Sequence, residues 1–272
     1  VGCSALKIDM EAKTVSMGGK TYKEGDTLSL NGTKGTVYEG AVATINASEN
    51  ELFKQFMQLV DKYRTMGVRT NADNPKDAQQ AIDFGAEGIG LFRIEHMFYG
   101  ENSEKPLAIL RKMILSGSTE ERKKWLNELL PYIKVAVKGT MQVMNGKPVT
   151  FRLIDPPLHE FVPHTQENVE ALAKELGIAA EELNKRIVAL EEVNPMMGLR
   201  GVRLGITYPE ITETQFRALF EAEAELRKEG FDPHLEIMVP LTISVTELKH
   251  QKAICDRVHA EVEAAMGAKI EY

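Results

Sequence analysis

The sequence contains few cysteines and no long apolar stretch, and both absences narrow the class of protein. Its 272 residues include two cysteines, Cys3 and Cys255, which are too few for a disulfide framework and fit a reducing compartment. No apolar run approaches the roughly 20 residues that a membrane-spanning helix needs. No basic stretch followed by an apolar one opens the chain, as it would in a signal peptide. We therefore expect a cytoplasmic globular protein with no membrane partner.

Positive charge is also scarce. Lysine and arginine number 33 against 40 acidic residues, which gives a formal net charge of −7. This balance argues against a chain-wide surface for nucleic acid, although a local basic pocket is compatible with it. With 43% hydrophobic and 27% charged residues, the composition is that of an ordinary globular protein. We expect no nucleic-acid partner.

The first 47 residues differ in composition from the rest. Glycine, threonine and lysine are frequent, apolar residues alternate in short runs, and the pairs Gly18-Gly19 and Asn31-Gly32 are typical of hairpin turns. The pattern predicts a β unit that is too small to hold a secure core by itself. Because the first residue, Val1, is also not methionine, we expect the sequence to be a fragment of a longer protein.

The next segment, 48–66, predicts a helix that links this β unit to a second domain. Ser48 is of a residue type favoured at helix N-caps. The apolar residues that follow it recur at helical spacing, and they are Phe53, Phe56, Met57, Val60 and Tyr63.

From residue 67 onward, short apolar β-type segments alternate with helical ones. The predicted strands cover residues 68–72, 88–93, 148–154, 201–205 and 235–240. The predicted helical stretches cover residues 75–84, 106–143, 165–190, 212–229 and 245–266. Such alternation is typical of parallel strands joined by right-handed crossover helices.

We interpret the segment 67–272 as the N-terminal part of a TIM (β/α)8 barrel, which makes the fold class α/β. A complete barrel needs eight strands and about 250 residues. The five predicted strands and their long inserts leave strands six to eight outside the sequence. A doubly wound sheet is the alternative, but no glycine-rich nucleotide-binding turn follows the first predicted strand.

Arginine recurs at or near the ends of these strands, and this is the most informative local pattern. Active sites of α/β barrels lie at the carboxyl ends of the strands. Guanidinium groups offer rigid forked donors that match phosphate and carboxylate oxygens, so arginines from separate strands could clamp a small anion. The arginines concerned are Arg69, Arg93, Arg152, Arg200 and Arg203.

Arg93 and Arg152 are the strongest candidates for binding a ligand, because each is embedded in an apolar strand. A buried charge needs a partner, so Arg93 could instead pair with Glu95 or Asp155. Asp155, which closely follows the third predicted strand, is itself a further candidate for the site.

Other polar residues near the strand ends are weaker candidates. Asn71 lies near the end of the first predicted strand and is included in the site. For Arg69 the pattern leaves both substrate binding and a structural role open, whereas we expect Arg203 to be structural. Isolated loop histidines such as His96 and His159 more often make hydrogen bonds than bind metal, and His159 lacks the helical spacing of a zinc protease motif.

Four stretches of the sequence resemble, in order, motifs of the phosphoenolpyruvate (PEP)-utilising enzymes. They are GCSAL at 2–6, GLFRIEHMF at 90–98, FRLIDPPLHEF at 151–161 and NPMMGLRG at 194–201. The resemblance implies the C-terminal part of a phosphohistidine (PEP-utilising mobile) domain over 1–47 and a linker helix over 48–66. It implies the first part of a PEP/pyruvate-binding barrel over 67–272. It also implies that Arg93 and Arg152 bind the phosphoryl group of PEP and that Arg200 assists.

Within the family, the residues HMF after Arg93-Ile94-Glu95 and PPLHEF after the third strand resemble one branch in particular. That branch interconverts ATP, phosphate and pyruvate with AMP, pyrophosphate and PEP through a phosphohistidine. The resemblance implies Mg²⁺ as cofactor, pyruvate and PEP as ligands, and the phosphohistidine domain of the same chain as a partner. It also implies ATP and phosphate at another domain, and a homodimeric parent. The alternatives are a branch that uses water in place of phosphate, and a non-catalytic binding module derived from the barrel.

Several functional parts of the family are missing from this sequence. The Gly-Gly-x-Thr-Ser-His stretch around the phosphorylated histidine is not present. By resemblance, the metal-binding carboxylates and the cysteine that protonates the enolate belong to later barrel strands, so Cys255 is not given that role and is expected in the core. We expect no catalytic residue and no metal ligand in the sequence, and no activity of the fragment alone.

Overall fold

The chain forms two compact units, Val1–Arg64 and Thr65–Tyr272. A computed structural model describes residues 6–45, 50–100 and 103–272. Cys3, the predicted N-cap Ser48 and most of the motif at 2–6 lie outside the described residues.

The first unit contains two small antiparallel sheets. One consists of β1 (Lys7–Asp9), β2 (Thr14–Met17) and β3 (Lys20–Lys23), and the other of β4 (Leu28–Asn31) and β5 (Thr36–Glu39). Gly18 and Gly19 connect β2 to β3 with φ angles of 57° and 78°, values that glycine adopts without a steric penalty. Both predicted hairpins are therefore confirmed.

The first helix, α1 (Glu51–Asp61), completes this unit and buries none of its residues. Its N-cap is Asn50, whose side chain accepts hydrogen bonds from the backbone N–H groups of Leu52 (2.9 Å) and Phe53 (3.2 Å). The apolar residues predicted for one stripe, among them Phe53 and Phe56, are exposed or half-exposed.

The second unit is built on a parallel four-stranded sheet. Its strands are β6 (Thr70–Asn71), β7 (Ile89–Arg93), β8 (Pro148–Arg152) and β9 (His234–Met238), which are neighbours in that order. Arg93 pairs with Arg152 and Arg152 with Met238 in the strand register. The carboxyl ends of β7, β8 and β9 therefore meet at one edge of the sheet.

Helices connect these strands in the predicted order. They are α2 (Pro75–Asp83), α3 (Glu104–Ile114), α4 (Thr119–Val143), α5 (Gln166–Leu176), α6 (Ala180–Leu190), α7 (Val202–Thr207), α8 (Pro209–Lys228) and α9 (Val245–Met266). The predicted stretch 106–143 is divided at Ser118, which caps α4 by accepting from the N–H of Glu121. The stretch 165–190 is divided at Gly177, which is left-handed. Of the described helices, none is long and apolar enough to cross a membrane.

The predicted strand 201–205 is wrong, because this segment forms the start of α7. Two backbone N–H groups of this segment bond to loop carbonyls and not to a neighbouring strand. Gly201 donates to the carbonyl of Asp155 (3.0 Å), and Val202 donates to that of Pro240 (2.9 Å). β8 and β9 already pair directly along their full length, so no strand fits between them. The predicted fifth strand is consequently the fourth, β9.

One face of the parallel sheet lies in the hydrophobic core and the other is more open. Along β8, Val149 and Phe151 are buried, whereas Thr150 and Arg152 are partly exposed. The ring of Phe151 lies 4.8 Å from that of Phe92 on β7. Burying each such side chain stabilises the fold by roughly 1.5–3 kcal/mol. A parallel sheet with one polar, open face differs from the doubly wound type, in which helices cover both faces.

Ion pairs join α4 to α8 and predict a pH-dependent contribution to stability. Lys134 and Lys138 both contact Glu225, each at 2.9 Å. Burial alone would raise the pKa of Glu225, but hydrogen bonds from Lys138 and Lys134 outweigh it and lower the pKa. Stabilisation by a lowered carboxylate pKa is present above the unfolded value and is lost as pH falls through the folded value.

We expect Glu225→Gln to lower the free energy of unfolding by about 1 kcal/mol at pH 7. The difference from the wild type should shrink as the pH is lowered below 4.5, the ordinary value for a glutamate. Urea unfolding, followed by the fluorescence of the single tryptophan, Trp125 on α4, measures the free energy of unfolding at each pH. Glu128→Gln is the control, because Glu128 is exposed on α4 and has no ion pair among the described residues. An equal loss at pH 4 and pH 7 would contradict the expected linkage.

Candidate functional site

The structure brings Arg93, Arg152 and Arg200 to one edge of the parallel sheet. Arg93 ends β7 and Arg152 ends β8, and the two are paired in register. Arg200, predicted to flank a fourth strand, instead directly precedes Gly201, the N-cap of α7. The hydrogen bond from Gly201 to the carbonyl of Asp155 holds this segment beside the end of β8.

Arg152 lies between two carboxylates. Its Nη2 donates to Oε1 of Glu95, and its Nη1 lies 3.1 Å from Oδ2 of Asp155. Glu95 is 2% exposed. Its Oε2 and the Nε of Arg152 are buried without a hydrogen-bond partner among the described residues. A buried guanidinium donor and a buried carboxylate oxygen are thus left unsatisfied, which is costly in a folded protein.

Asp155 joins the guanidinium groups of Arg152 and Arg200. Arg200 donates from Nη2 to Oδ2 (2.7 Å) and from Nε to Oδ1 (3.3 Å) of the Asp155 carboxylate. Asp155 is itself buried. Because one carboxylate orders both guanidinium groups, a displacement of Asp155 would move both arginines.

Arg93 is held by Asp73, which follows β6. Asp73 accepts hydrogen bonds from the backbone N–H of Arg93 at 2.8 Å and from its side-chain Nε at 3.1–3.2 Å. Nη2 of Arg93 donates to Oδ2 of Asp73. Nδ1 of His96 lies 3.2 Å from the same Oδ2. Burial alone would raise the pKa of Asp73, but the hydrogen bonds from Arg93 outweigh it and lower the pKa. The alternative in which Arg93 pairs with Glu95 or Asp155 is not observed, because Arg93 pairs with Asp73, whereas Glu95 contacts Arg152 and Asp155 contacts Arg152 and Arg200.

The site balances three guanidinium groups against three carboxylates. Arg93, Arg152 and Arg200 carry three positive charges, and the carboxylates they contact carry three negative ones. The arginine side chains remain 32%, 19% and 16% exposed. The arrangement therefore offers oriented, partly accessible donors for an oxyanion rather than a strongly positive surface.

Two other predicted residues lie apart from this cluster. Nη1 of Arg69 lies 2.5 Å from Oε2 of Glu236 on β9, and that oxygen also accepts from the hydroxyl of Thr150 (2.6 Å). Thr150 and Glu236 are paired on the strands two residues before the level of Arg152. Asn71 is exposed on β6. The structure thus places Arg69 in an ion pair on the open face of the sheet.

The remaining residues from the sequence have local contacts. Arg203 donates from Nη1 to the carbonyl of Met197 (2.7 Å). Nδ1 of His159 is buried without a hydrogen-bond partner in the described part of the chain. Cys255 on α9 is buried, as expected for a core residue.

A groove of about 1050 Å³ adjoins one side of the site. Asp73 and His96 line it, together with Tyr99 and Tyr132. None of the three clustered arginines belongs to its described lining. The groove therefore reaches the site at Asp73 and is not lined by the clustered arginines.

Asp73 was not among the residues predicted from the sequence, and the sequence did not identify Arg152 as the partner of Glu95. Asp73 directly follows the first predicted strand, so the rule that sites form at carboxyl ends of parallel strands could have found it. Nothing in the spacing could have paired Glu95 with Arg152, which lies 57 residues further along the chain.

The described residues do not provide a metal site. They include no group of three or more histidine, cysteine, aspartate or glutamate side chains that could hold a metal ion. Each carboxylate of the cluster faces a guanidinium group. The one carboxylate oxygen of the cluster without a partner among the described residues, Oε2 of Glu95, is buried and cannot by itself supply the octahedral oxygen coordination that Mg²⁺ requires. The residues therefore do not fit Mg²⁺.

Comparisons with known proteins find related enzymes along the whole chain. The family model described as PEP-utilising enzyme, PEP-binding domain matches residues 47–272. Pyruvate, phosphate dikinase of Clostridium symbiosum is 46% identical over 272 residues, covering 100% of this chain and 31% of the relative. The enzyme of the same name from Giardia intestinalis is 43% identical over 271 residues (100% and 30%), and the chloroplastic one from Flaveria trinervia is 43% identical over 273 residues (100% and 28%). The chain thus spans about 30% of the length of the curated relatives it matches.

Proposed function

The chain belongs to the PEP-utilising enzyme family through its PEP-binding domain, and we propose that it is part of a pyruvate, phosphate dikinase. The observation that carries the proposal is the arginine cluster at the carboxyl edge of a parallel sheet. The similarity of the whole chain to enzymes of that name supports it. On this proposal the parent enzyme interconverts ATP, phosphate and pyruvate with AMP, pyrophosphate and PEP.

We propose that residues 67–272 are the first part of a (β/α)8 barrel. The parallel strand order and the polar, open face of the sheet support this, because barrel strands carry helices on one face only. We propose that 1–47 is the end of a phosphohistidine mobile domain and 48–66 the linker. The two antiparallel sheets and α1 support that division.

In this proposal Arg93 and Arg152 bind the phosphoryl group of PEP, and Arg200 assists. Phosphoryl transfer depends mainly on positioning and on stabilising charge that spreads over the phosphoryl oxygens. Donors that are oriented before the reaction do this without reorganising. The carboxylates of Asp73, Glu95 and Asp155 supply that orientation.

Other steps are proposed for the remainder of the parent enzyme. These are the charging of a histidine by ATP and phosphate, the binding of Mg²⁺ to stabilise the pyruvate enolate, and the formation of a homodimer. The residues described above hold and orient the phosphoryl group only, so the fragment alone is predicted to be inactive. The cytoplasmic location expected from the two cysteines stays a prediction.

Inorganic phosphate separates the proposed enzyme from its nearest alternative, a PEP synthase that uses water. We expect the full-length parent to form PEP from pyruvate, ATP and Mg²⁺ only when phosphate is added, with release of pyrophosphate. A coupled assay with and without phosphate measures this. Turnover without phosphate would assign the parent to the synthase. A folded parent without turnover in either assay would favour a non-catalytic binding module.

A further inference from the structure

Asp73 is the carboxylate of the site that follows β6. It accepts from Arg93 at three positions, the backbone N–H, Nε and Nη2. Bonds to both the backbone and the fork of one arginine fix the rotation of its side chain, because neither end can turn independently. Among the described residues, Nη1 of Arg93 is left without a hydrogen-bond partner, so one pair of donors remains for a ligand.

The backbone around Asp73 is held from both sides. The N–H of Ala72 donates to the carbonyl of Leu91 on β7 (3.3 Å). Asn74 is the N-cap of α2, and its side chain accepts from the N–H of Asp77 (2.9 Å). Asp73 therefore lies between a strand ladder and a capped helix, a rigid support for a residue that must hold another in place.

We propose that Asp73 is a positioning residue that fixes the guanidinium of Arg93 for the phosphoryl group of PEP, an inference that rests on the proposed function. Asp73 touches the arginine and not the substrate. Its effect should be larger for PEP than for pyruvate, because Arg93 is proposed to bind the phosphoryl group, which pyruvate lacks.

A role of Asp73 through its charge and a role through orientation predict opposite changes in PEP affinity when Asp73 is replaced by asparagine. If Asp73 acted only through its charge, Asp73→Asn would remove a repulsive carboxylate and tighten PEP binding. If it positions Arg93, the new amide NH2 faces the Nη2 donor and the fork turns away, so binding weakens. Asp73→Glu keeps the charge but moves the carboxylate by one methylene, which weakens binding only under the positioning role.

The test measures dissociation constants by titration calorimetry in the full-length parent, with its phosphorylated histidine replaced by alanine so that PEP binds without turnover. We expect both Asp73 variants to weaken PEP binding about tenfold, the order of a charge-assisted hydrogen bond, and to change pyruvate binding less than about twofold. In an Arg93→Ala background, Asp73→Asn should have no further effect. Asp83→Asn is the matched control, since Asp83 is an exposed aspartate at the end of α2.

Tighter or unchanged PEP binding in Asp73→Asn would overturn the positioning role. A further loss in the Arg93→Ala background, or an equal loss for pyruvate, would also overturn it, because the effect would not pass through Arg93. The Arg93→Ala variant by itself tests the proposed function on which this inference rests. If that variant binds PEP as the wild type does, the arginine cluster is not the phosphoryl site.

Discussion

Replacing Arg152 by alanine should reduce PEP formation by the full-length parent by a factor of about 10²–10³, the usual cost of removing one preorganised donor to a developing oxyanion. Arg152 is in the middle of the cluster and contacts both Glu95 and Asp155. On the proposed function, its loss removes a hydrogen-bond donor to the phosphoryl group of PEP. Asp155 keeps its hydrogen bonds from Arg200 but loses its contact with Arg152, so the Arg200 guanidinium is less restrained.

The same substitution should destabilise the second unit. Glu95 and Asp155 would be left buried without Arg152, and breaking a buried pair from one side costs roughly 3–5 kcal/mol. Urea unfolding of the chain followed by Trp125 measures this cost. Arg257→Ala is the matched control, because Arg257 also pairs with two carboxylates, Glu213 and Glu261, but at a half-exposed surface. Turnover within threefold of the wild type in a folded Arg152→Ala enzyme would remove Arg152 from the proposed site.

Gly201→Ala should destabilise the second unit, although the residue carries no charge. Gly201 has φ 57° and ψ −132°, which costs a residue with a side chain about 1–3 kcal/mol. A Cβ there would lie 3.0 Å from both Cβ of Leu241 and the carbonyl oxygen of Pro240, and such overpacking costs about 1–3 kcal/mol more. Leu241 itself has φ 56°, so it has little freedom to move away.

The variant Gly230→Ala separates the cost of backbone strain from the cost of close contacts to the new Cβ atom. Gly230 has φ 88°, and a Cβ there would meet nothing within 4 Å. We expect Gly201→Ala to cost more than Gly230→Ala in the free energy of unfolding, and to displace the adjacent Arg200 so that PEP binding weakens as well. Equal costs for the two variants would show that the contact with residues 240 and 241 is unimportant.

Regular periodicity made most of the second unit predictable. The helix predicted for 245–266 has the same bounds as α9, and the strand predicted for 88–93 differs from β7 by one residue. The segment 201–205 failed because Val-Arg-Leu between two glycines fits a short strand and a helical turn equally well. The outcome depends on hydrogen bonds to Asp155 and Pro240, which are distant in sequence.

The arginines of the site could be predicted and most of their partners could not. Arg93 and Arg152 stood out because charges are rare inside apolar strands. The carboxylate that holds Arg93 lies 20 residues before it, and the choice between Asp73, Glu95 and Asp155 depends on strand order. Neighbouring strands in a sheet cannot be paired residue by residue from spacing alone.

The most direct test of the account is a crystal structure of the full-length parent with PEP bound. We predict phosphoryl oxygens about 2.7–2.9 Å from guanidinium nitrogens of Arg93 and Arg152, with Arg200 beside them and Asp73 still holding Arg93. PEP bound away from this edge of the sheet, with the three arginines still paired only to their carboxylates, would contradict it.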